Sequence, residues 1–318
     1  MSLAPRAVLV HRVTEYEELM ARHGTHGQAA FFLSSRGRDI EEVAERHRRA
    51  RRALADVAAA VPLRWRQTRV ERADLDRFLF APEDVVVVVG QDGLVANAAK
   101  YLSGQPVVGV DAEPGRNPGV LVRHRPADVA KLLPHAAAGA AGAEELTMVE
   151  ATTDDGQCLR ALNEIYVGSA GHQTARYRLS SGAGTGAGAG TGAGAGTGAG
   201  AGAGLGTEAQ ASSGVLIGTG TGATGWLGSL WRQGGGGPRL PGPREARLLW
   251  CVREAWASPA TGTSRVRGEL TGGQRLWLTA ESDHLVAFGD GMEADALSLA
   301  WSQSVRVGVS PRCLRLAV

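Results

Sequence analysis

The sequence predicts two units of different class: an open α/β N-terminal domain with a mainly parallel sheet, and a β-rich, sandwich-like C-terminal domain. Three observations carry this. The run Val85 to Val89 is β-branched on both faces, as befits a central parallel strand covered by helices on each side. Strand and helix patterns alternate over roughly the first 130 residues. Beyond Glu145 helical periodicity fades into short strand-like segments separated by turn residues.

Ala7 to Val10 is a short apolar run and the expected first strand. Val13 to His23 has helical spacing, with Tyr16, Leu19 and Met20 toward one side. His23 and His26 have a spacing seen in metal sites, but no Cys or carboxylate pattern completes one, so they read as a solvated loop. Asp39 can cap a long helix over Ile40 to Ala60. Its segment Glu45 to Arg52, ERHRRARR, reads as a solvated basic face. Leu63 to Val70 is a further strand, with Trp65 alternating against polar neighbours. Val85 to Leu102 then gives strand, tight turn and helix in succession, and Gln105 to Val110 another strand. The small residues of His135 to Ala143, HAAAGAAGA, mark the expected domain crossing.

We therefore expect an α/β domain over 1–134, a β-rich domain over 145–304, and a final segment, 305–318. The β-rich half shows LTMVEATT, EIYVGSA, ARYRLSS, SGVLIGTG, LLWCVREAW, RVRGEL, RLWLTAE, LVAFGDGM and VRVGVS as strand candidates, with WLGSLW helix-like. Gly182 to Gly206 is almost pure Gly, Ala and Thr and reads as a disordered hairpin extension. Its G-x-G-x-x-G matches lack the strand, helix and downstream acid that give such a fingerprint meaning.

Totals exclude several classes. With 34 basic and 32 acidic residues in 318, the net charge of +2 gives no global field for nucleic acid or an anionic membrane. Three scattered cysteines, Cys158, Cys251 and Cys313, indicate neither a disulfide framework nor a zinc site. The N-terminus lacks signal-peptide organisation and no apolar run approaches ~20 residues, so a cytoplasmic protein is expected.

Three segments carry chemistry. In Gly90-Gln91-Asp92-Gly93 the glycines permit close backbone approach, the helix N-terminus favours a phosphate, and the acid among phosphates must bind a cation or take a proton. Asn163-Glu164 is a polar pair at a strand start. Ser213 to Trp226, SGVLIGTGTGATGW, runs from an apolar strand into a loop of Gly and Thr that offers amides, hydroxyls and an aromatic face.

In order and spacing these segments resemble the signatures of the NAD kinase family: a strand ending in Gly-Gly-Asp-Gly, an Asn-Glu pair and a Gly/Thr-rich loop. Ser212-Ser213-Gly214, Thr219-Gly220-Thr221-Gly222 and PVVGVDAEPGRNPGVL at Pro106 to Leu121 are most similar to its mitochondrial-type branch, and Asp290-Gly291 falls where the family has another Asp-Gly. The resemblance implies phosphorylation of the adenosine ribose 2′-hydroxyl of NAD by ATP in a cleft between two domains, with Mg²⁺ carried on ATP and no metal held by protein ligands alone. It implies Asp92 as general base, Gly90, Gln91 and Gly93 around the phosphates, and Asn163 and Glu164 on ribose or amide groups of NAD. Thr219, Thr221, Gly222, Thr224 and Trp226 would line the adenine and phosphate side. A homodimer or homotetramer is also implied. Gln91, Leu94, Asp111 and Ala223 depart from the family's usual Gly, Thr, Asn and Ser. They keep open a homologous kinase for another small-molecule or lipid hydroxyl, or a nucleotide-binding regulatory homologue.

Overall fold

The computed structural model describes residues 4–116, 119–139, 142–183, 206–235 and 237–318. These form two compact units, Met1–Glu145 with Leu314–Val318, and Leu146–Cys313.

The first unit runs β1 (Arg6–His11), α1 (Glu15–His23), α2 (His26–Ser34), α3 (Ile40–Ala60), β2 (Arg66–Glu71), β3 (Asp84–Gly90), α4 (Asp92–Ala99), β4 (Pro106–Asp111) and α5 (Val129–Ala137). Its strands lie in the order β2-β1-β3-β4, all parallel, with Val8 opposite Val86 and Val88 opposite Gly109. Val85 to Val89 are buried, the reason an unbroken β-branched run suits this strand. Leu9 and Val87 pack with Val57 of α3 and Leu133 of α5. Arg6 donates through Nε and Nη2 to the buried Asp84 carboxylate at 2.7 and 2.6 Å, tying the starts of β1 and β3 together. Arg315 and Leu316 extend the sheet, parallel to Pro106 and Val107.

The helices follow local signals. Thr14 and Glu17 form a capping box at α1, and Asp39 accepts the Glu41 N–H at the head of α3. Two local expectations are corrected. His23 and His26 do not sit in a solvated loop: His23 ends α1 with its ring 4.4 Å from that of Phe32, and His26 begins α2 with Nδ1 3.1 Å from the Tyr16 hydroxyl. The segment HGQAAFFLS lacks a clear amphipathic stripe, yet Thr25 caps it through the Gln28 N–H and α1 and α3 bury Ala29 and Leu33. His135, Ala136 and Ala137 likewise complete α5, with Ala136 buried, so the small-residue run begins inside a helix.

The second unit is antiparallel β with one helix. It contains β5 (Ala143–Thr153), β6 (Cys158–Ala161), β7 (Glu164–Ser169), β8 (Ala175–Ala183), β9 (Glu208–Ser212), β10 (Val215–Gly218), α6 (Trp226–Gln233), β11 (Arg247–Val252) and β12 (Arg267–Thr271). After these come β13 (Gln274–Ala280), β14 (Leu285–Gly289), β15 (Met292–Leu299) and β16 (Ser304–Ala317). One sheet has the order β12-β11-β10-β7-β14-β15; the other places β16, β13, β8 and β9 side by side, with β5 on β16 and β6 on β5. Ile165, Ile217 and Trp250 of the first face Tyr177, Leu276 and Val305 of the second in one core. The strands β6, β9 and β15 were not among the sequence candidates. The expected Gly182 to Gly206 extension lies outside the described residues, except that Gly182 and Ala183 close β8 and Gly206 precedes β9.

Candidate functional site

In the first unit, β3 ends at Gly90, Gln91 is extended, and Asp92 is the first residue of α4. The Asp92 carboxylate is turned onto its own chain. Oδ1 accepts the N–H groups of Leu121 and Val122 at 2.8 and 3.0 Å, and Oδ2 accepts that of Val120 at 3.0 Å. A carboxylate offers about four lone-pair sites, so one remains on Oδ2. The 120–122 segment comes this close because residue 109 is glycine: a Cβ there would lie 2.0 Å from the Leu121 carbonyl oxygen. A Cβ on Gly90 would meet the Leu94 side chain at 3.1 Å, whereas Gly93 has open space around it.

The loop after β1 leads toward β2 and the loop after β3 toward β4, so the β1–β3 boundary is the switch point of this sheet, where ligands of open α/β folds bind. A cavity of about 630 Å³ lies there, lined by His11, Arg12, Arg46, Arg51, Gln91 and Arg116 among others. This corrects the reading of Glu45 to Arg52 as a wholly solvated face. Arg48 and Arg49 do pair outward with Glu45, but Arg46, His47 and Arg51 share the helix side that faces the cavity. Arg46 pairs with Glu15 at 3.3 Å and Glu113 at 3.4 Å, and Arg51 donates through Nε to Glu17 at 2.8 Å. His11 Nδ1 and Glu113 Oε2 are buried without hydrogen-bond partners. Burial, reinforced by the Arg51 charge, lowers the His11 pKa and favours neutral imidazole. The sequence signal was the spacing 43, 46, 47, 50, 51, 54, a helical stripe with arginines inside it.

In the second unit Asp290 plays a matching part. At φ 53 in the turn between β14 and β15, it accepts the N–H of Leu162 at 2.7 Å on Oδ2, and those of Asn163 and Glu164 at 2.8 and 3.2 Å on Oδ1. The Gly/Thr loop packs on this pinned segment. Thr219 donates its N–H to the Asn163 carbonyl at 2.8 Å and its hydroxyl to that of Leu162 at 2.5 Å, and its Oγ1 accepts the Thr221 N–H at 3.1 Å. Glycine is obligatory here: a Cβ on Gly222 would lie 2.4 Å from the Asn163 oxygen and 2.9 Å from Glu164 Oε2. Burial first, and the Asp290 charge second, raise the Glu164 pKa to about 8. Thr221 Oγ1 is buried with no hydrogen-bond partner.

Asn163, Glu164, Thr219, Thr221 and Gly222 are therefore gathered in one cluster with Asp290. Thr224 instead spends its hydroxyl on the Thr221 carbonyl at 3.0 Å. Trp226 stacks on Tyr166 at 6.0 Å between ring centroids, and Tyr166 donates to the Ser213 and Ser169 carbonyls.

Among the described residues no cluster of three His, Cys, Asp or Glu side chains could hold a metal, and no helix is long and apolar enough to cross a membrane. No family model matches the sequence, and no curated protein matches it. Solved structures do. An NAD kinase from Archaeoglobus fulgidus in complex with ATP aligns with TM-score 0.55 and 15% identity over 98% of this chain and 93% of its own. A yeast NADH kinase complexed with NADH aligns with TM-score 0.55 and 13% identity over 99% of this chain and 84% of its own. Joined to the parallel α/β unit and the antiparallel β unit described above, these similarities identify the fold as that of the NAD kinases.

Proposed function

We propose that the chain transfers the γ-phosphoryl group of ATP to the adenosine ribose 2′-hydroxyl of NAD, giving NADP and ADP. The observation that carries this reading is the Asp92 carboxylate, fixed by three amides at the carboxyl end of β3 with one Oδ2 lone pair left. That lone pair accepts the hydroxyl proton as O2′ bonds to the γ-phosphorus and the bond to the leaving ADP oxygen breaks. Phosphoryl transfer depends mainly on positioning and charge neutralisation, and a carboxylate that cannot rotate supplies the first.

Arg12, Arg46, Arg51 and Arg116 line the cavity beside Gly90 and Gln91 and supply the second, by drawing the donor's phosphates there. Mg²⁺ carried on those phosphates would neutralise part of their charge, and its reluctance to shed water means that it would need no all-protein cage. Asn163 and Glu164 hold ribose or amide groups of NAD. Below a pH of about 8 Glu164 is protonated and donates a hydrogen bond. Thr219 and Gly222 brace this segment, and the Thr221 hydroxyl is left for the ligand. The Ser212-Ser213-Gly214 and Thr219-Gly220-Thr221-Gly222 runs support a place near the mitochondrial-type branch, and the family resemblance adds a homodimer or homotetramer to the proposal.

Gln91 and Leu94 favour one second reading, a kinase for a different hydroxyl, because Leu94 presents methyl groups against Gly90 where the family has a hydroxyl. Purified protein with Mg-ATP and NAD tests both: NADP should form with equimolar ADP, and Asp92→Asn should cut turnover by ~10²-fold or more. ADP formed only with another acceptor would overturn the NAD assignment.

A further inference from the structure

The second unit holds a cavity of about 270 Å³. Its walls come from α6, the end of β11 with the residues that follow, and the start of β12, and include Trp231, Cys251, Arg253, Glu254 and Arg267. Arg253 is held there by its backbone: its N–H donates to Gly214 at 2.8 Å and its carbonyl accepts the Ser213 N–H at 2.9 Å. The guanidinium lies 5.2 Å from the centre of the Trp226 ring. Its Nε is buried and has no hydrogen-bond partner.

Nε itself is closed off, so Arg253 meets the cavity through its other atoms. Arg253 and Arg267 line the cavity together with one carboxylate, Glu254. Both guanidinium groups pull the Cys251 pKa down, yet burial outweighs them and lifts it to about 11, so the thiol adds no competing negative charge. Leu230 and Trp231 supply an apolar wall. The volume is below the usual ~300–1,000 Å³ of pockets for drug-sized ligands, too small for a dinucleotide and ample for one phosphate group.

We propose that this cavity binds a small phosphate-class oxyanion through Arg253 and Arg267. Guanidinium forks match phosphate oxygens in both charge and geometry. The ligand is either inorganic phosphate or the phosphate of a small ester whose carbon skeleton rests on Leu230 and Trp231. Binding draws the Arg253 charge away from the face of Trp226, so Trp226 fluorescence should report occupancy. The chemistry of this site does not depend on the kinase reading.

Titration of the full chain with inorganic phosphate and with glycerol 3-phosphate, followed by calorimetry and tryptophan fluorescence, tests it. Saturable binding is expected, weakened about tenfold or more by Arg253→Gln and unchanged by Asp92→Asn. A fluorescence change that disappears in Trp226→Phe locates the ligand beside Arg253. Tighter binding of glycerol 3-phosphate assigns the ester, and tighter binding of inorganic phosphate assigns the free ion. Arg267→Gln carries the same expectation should Arg253→Gln fail to fold. Non-saturable binding, or equal affinity in the wild type and a folded arginine variant, would overturn the site.

Discussion

Asp290 accepts the backbone N–H of Glu164 at 3.2 Å while its charge, added to burial, keeps the Glu164 side chain protonated up to a pH of about 8. One carboxylate thus pins a strand start and sets the proton state of the acid that begins it. Asp92 repeats the first half of this device on Val120, Leu121 and Val122. Both residues precede a glycine, and each gathers three consecutive amides.

The Glu164 carboxyl makes stability depend on pH. Its folded pKa of about 8 lies above the ordinary 4.5, so between these values the unfolded chain releases a proton that the folded chain retains. Stability should therefore fall as pH rises through this window, by at most about 1.4 kcal/mol per pH unit, and level off above it. Glu164→Gln removes that slope and should be the more stable form at alkaline pH. Thermal melts of both proteins from pH 5 to pH 9 measure the difference, and parallel curves would refute it.

Gly109→Ala separates the clamp on Asp92 from the acid itself. The new Cβ would lie 2.0 Å from the Leu121 oxygen, so the 120–122 segment must move and release its hold on Asp92. A loss of about 1–3 kcal/mol is expected, as for other overpacked sites, together with loss of transferase activity although Asp92 remains. Urea unfolding and a turnover assay on one preparation measure both; activity close to wild type would show that the clamp is dispensable.

The two sides of α3 should answer differently to mutation. Arg51→Ala removes a cavity-lining guanidinium and is expected to raise the KM for ATP about tenfold, the scale of one charge-assisted hydrogen bond. Arg49→Ala touches only an exposed pair with Glu45 and should leave every kinetic parameter as it was. Steady-state kinetics with ATP varied at saturating NAD make the comparison, and equal responses would remove the cavity from the donor's path.

Legibility in the sequence followed the range of the interaction. The strand Val85 to Val89 and the helix after Asp39 were readable because burial on both faces and a side-chain cap leave local marks. Helix α2 was missed because its burial is supplied by α1 and α3 and its own sequence shows no strong stripe. The Gly/Thr loop was legible as a loop, but only its contact with the Asn163 carbonyl explains why Gly222 must be glycine. Asp92 stood out as chemical, yet its three amide donors lie about one crossover away and leave no sign near residue 92. The arginines of α3 were visible as charge; which of them turn inward was set by the glutamates of α1 and by Glu113.

The most direct measurement of the central claim is the product formed by purified protein from Mg-ATP and NAD, resolved by chromatography and compared with Asp92→Asn. NADP appearing in equal amount to ADP, and falling ~10²-fold or more in the variant, is the result expected of a kinase whose hydroxyl acceptor is oriented by Asp92. NADP formed at the wild-type rate by Asp92→Asn would contradict that role, and no NADP from protein shown to bind NAD would contradict the activity itself.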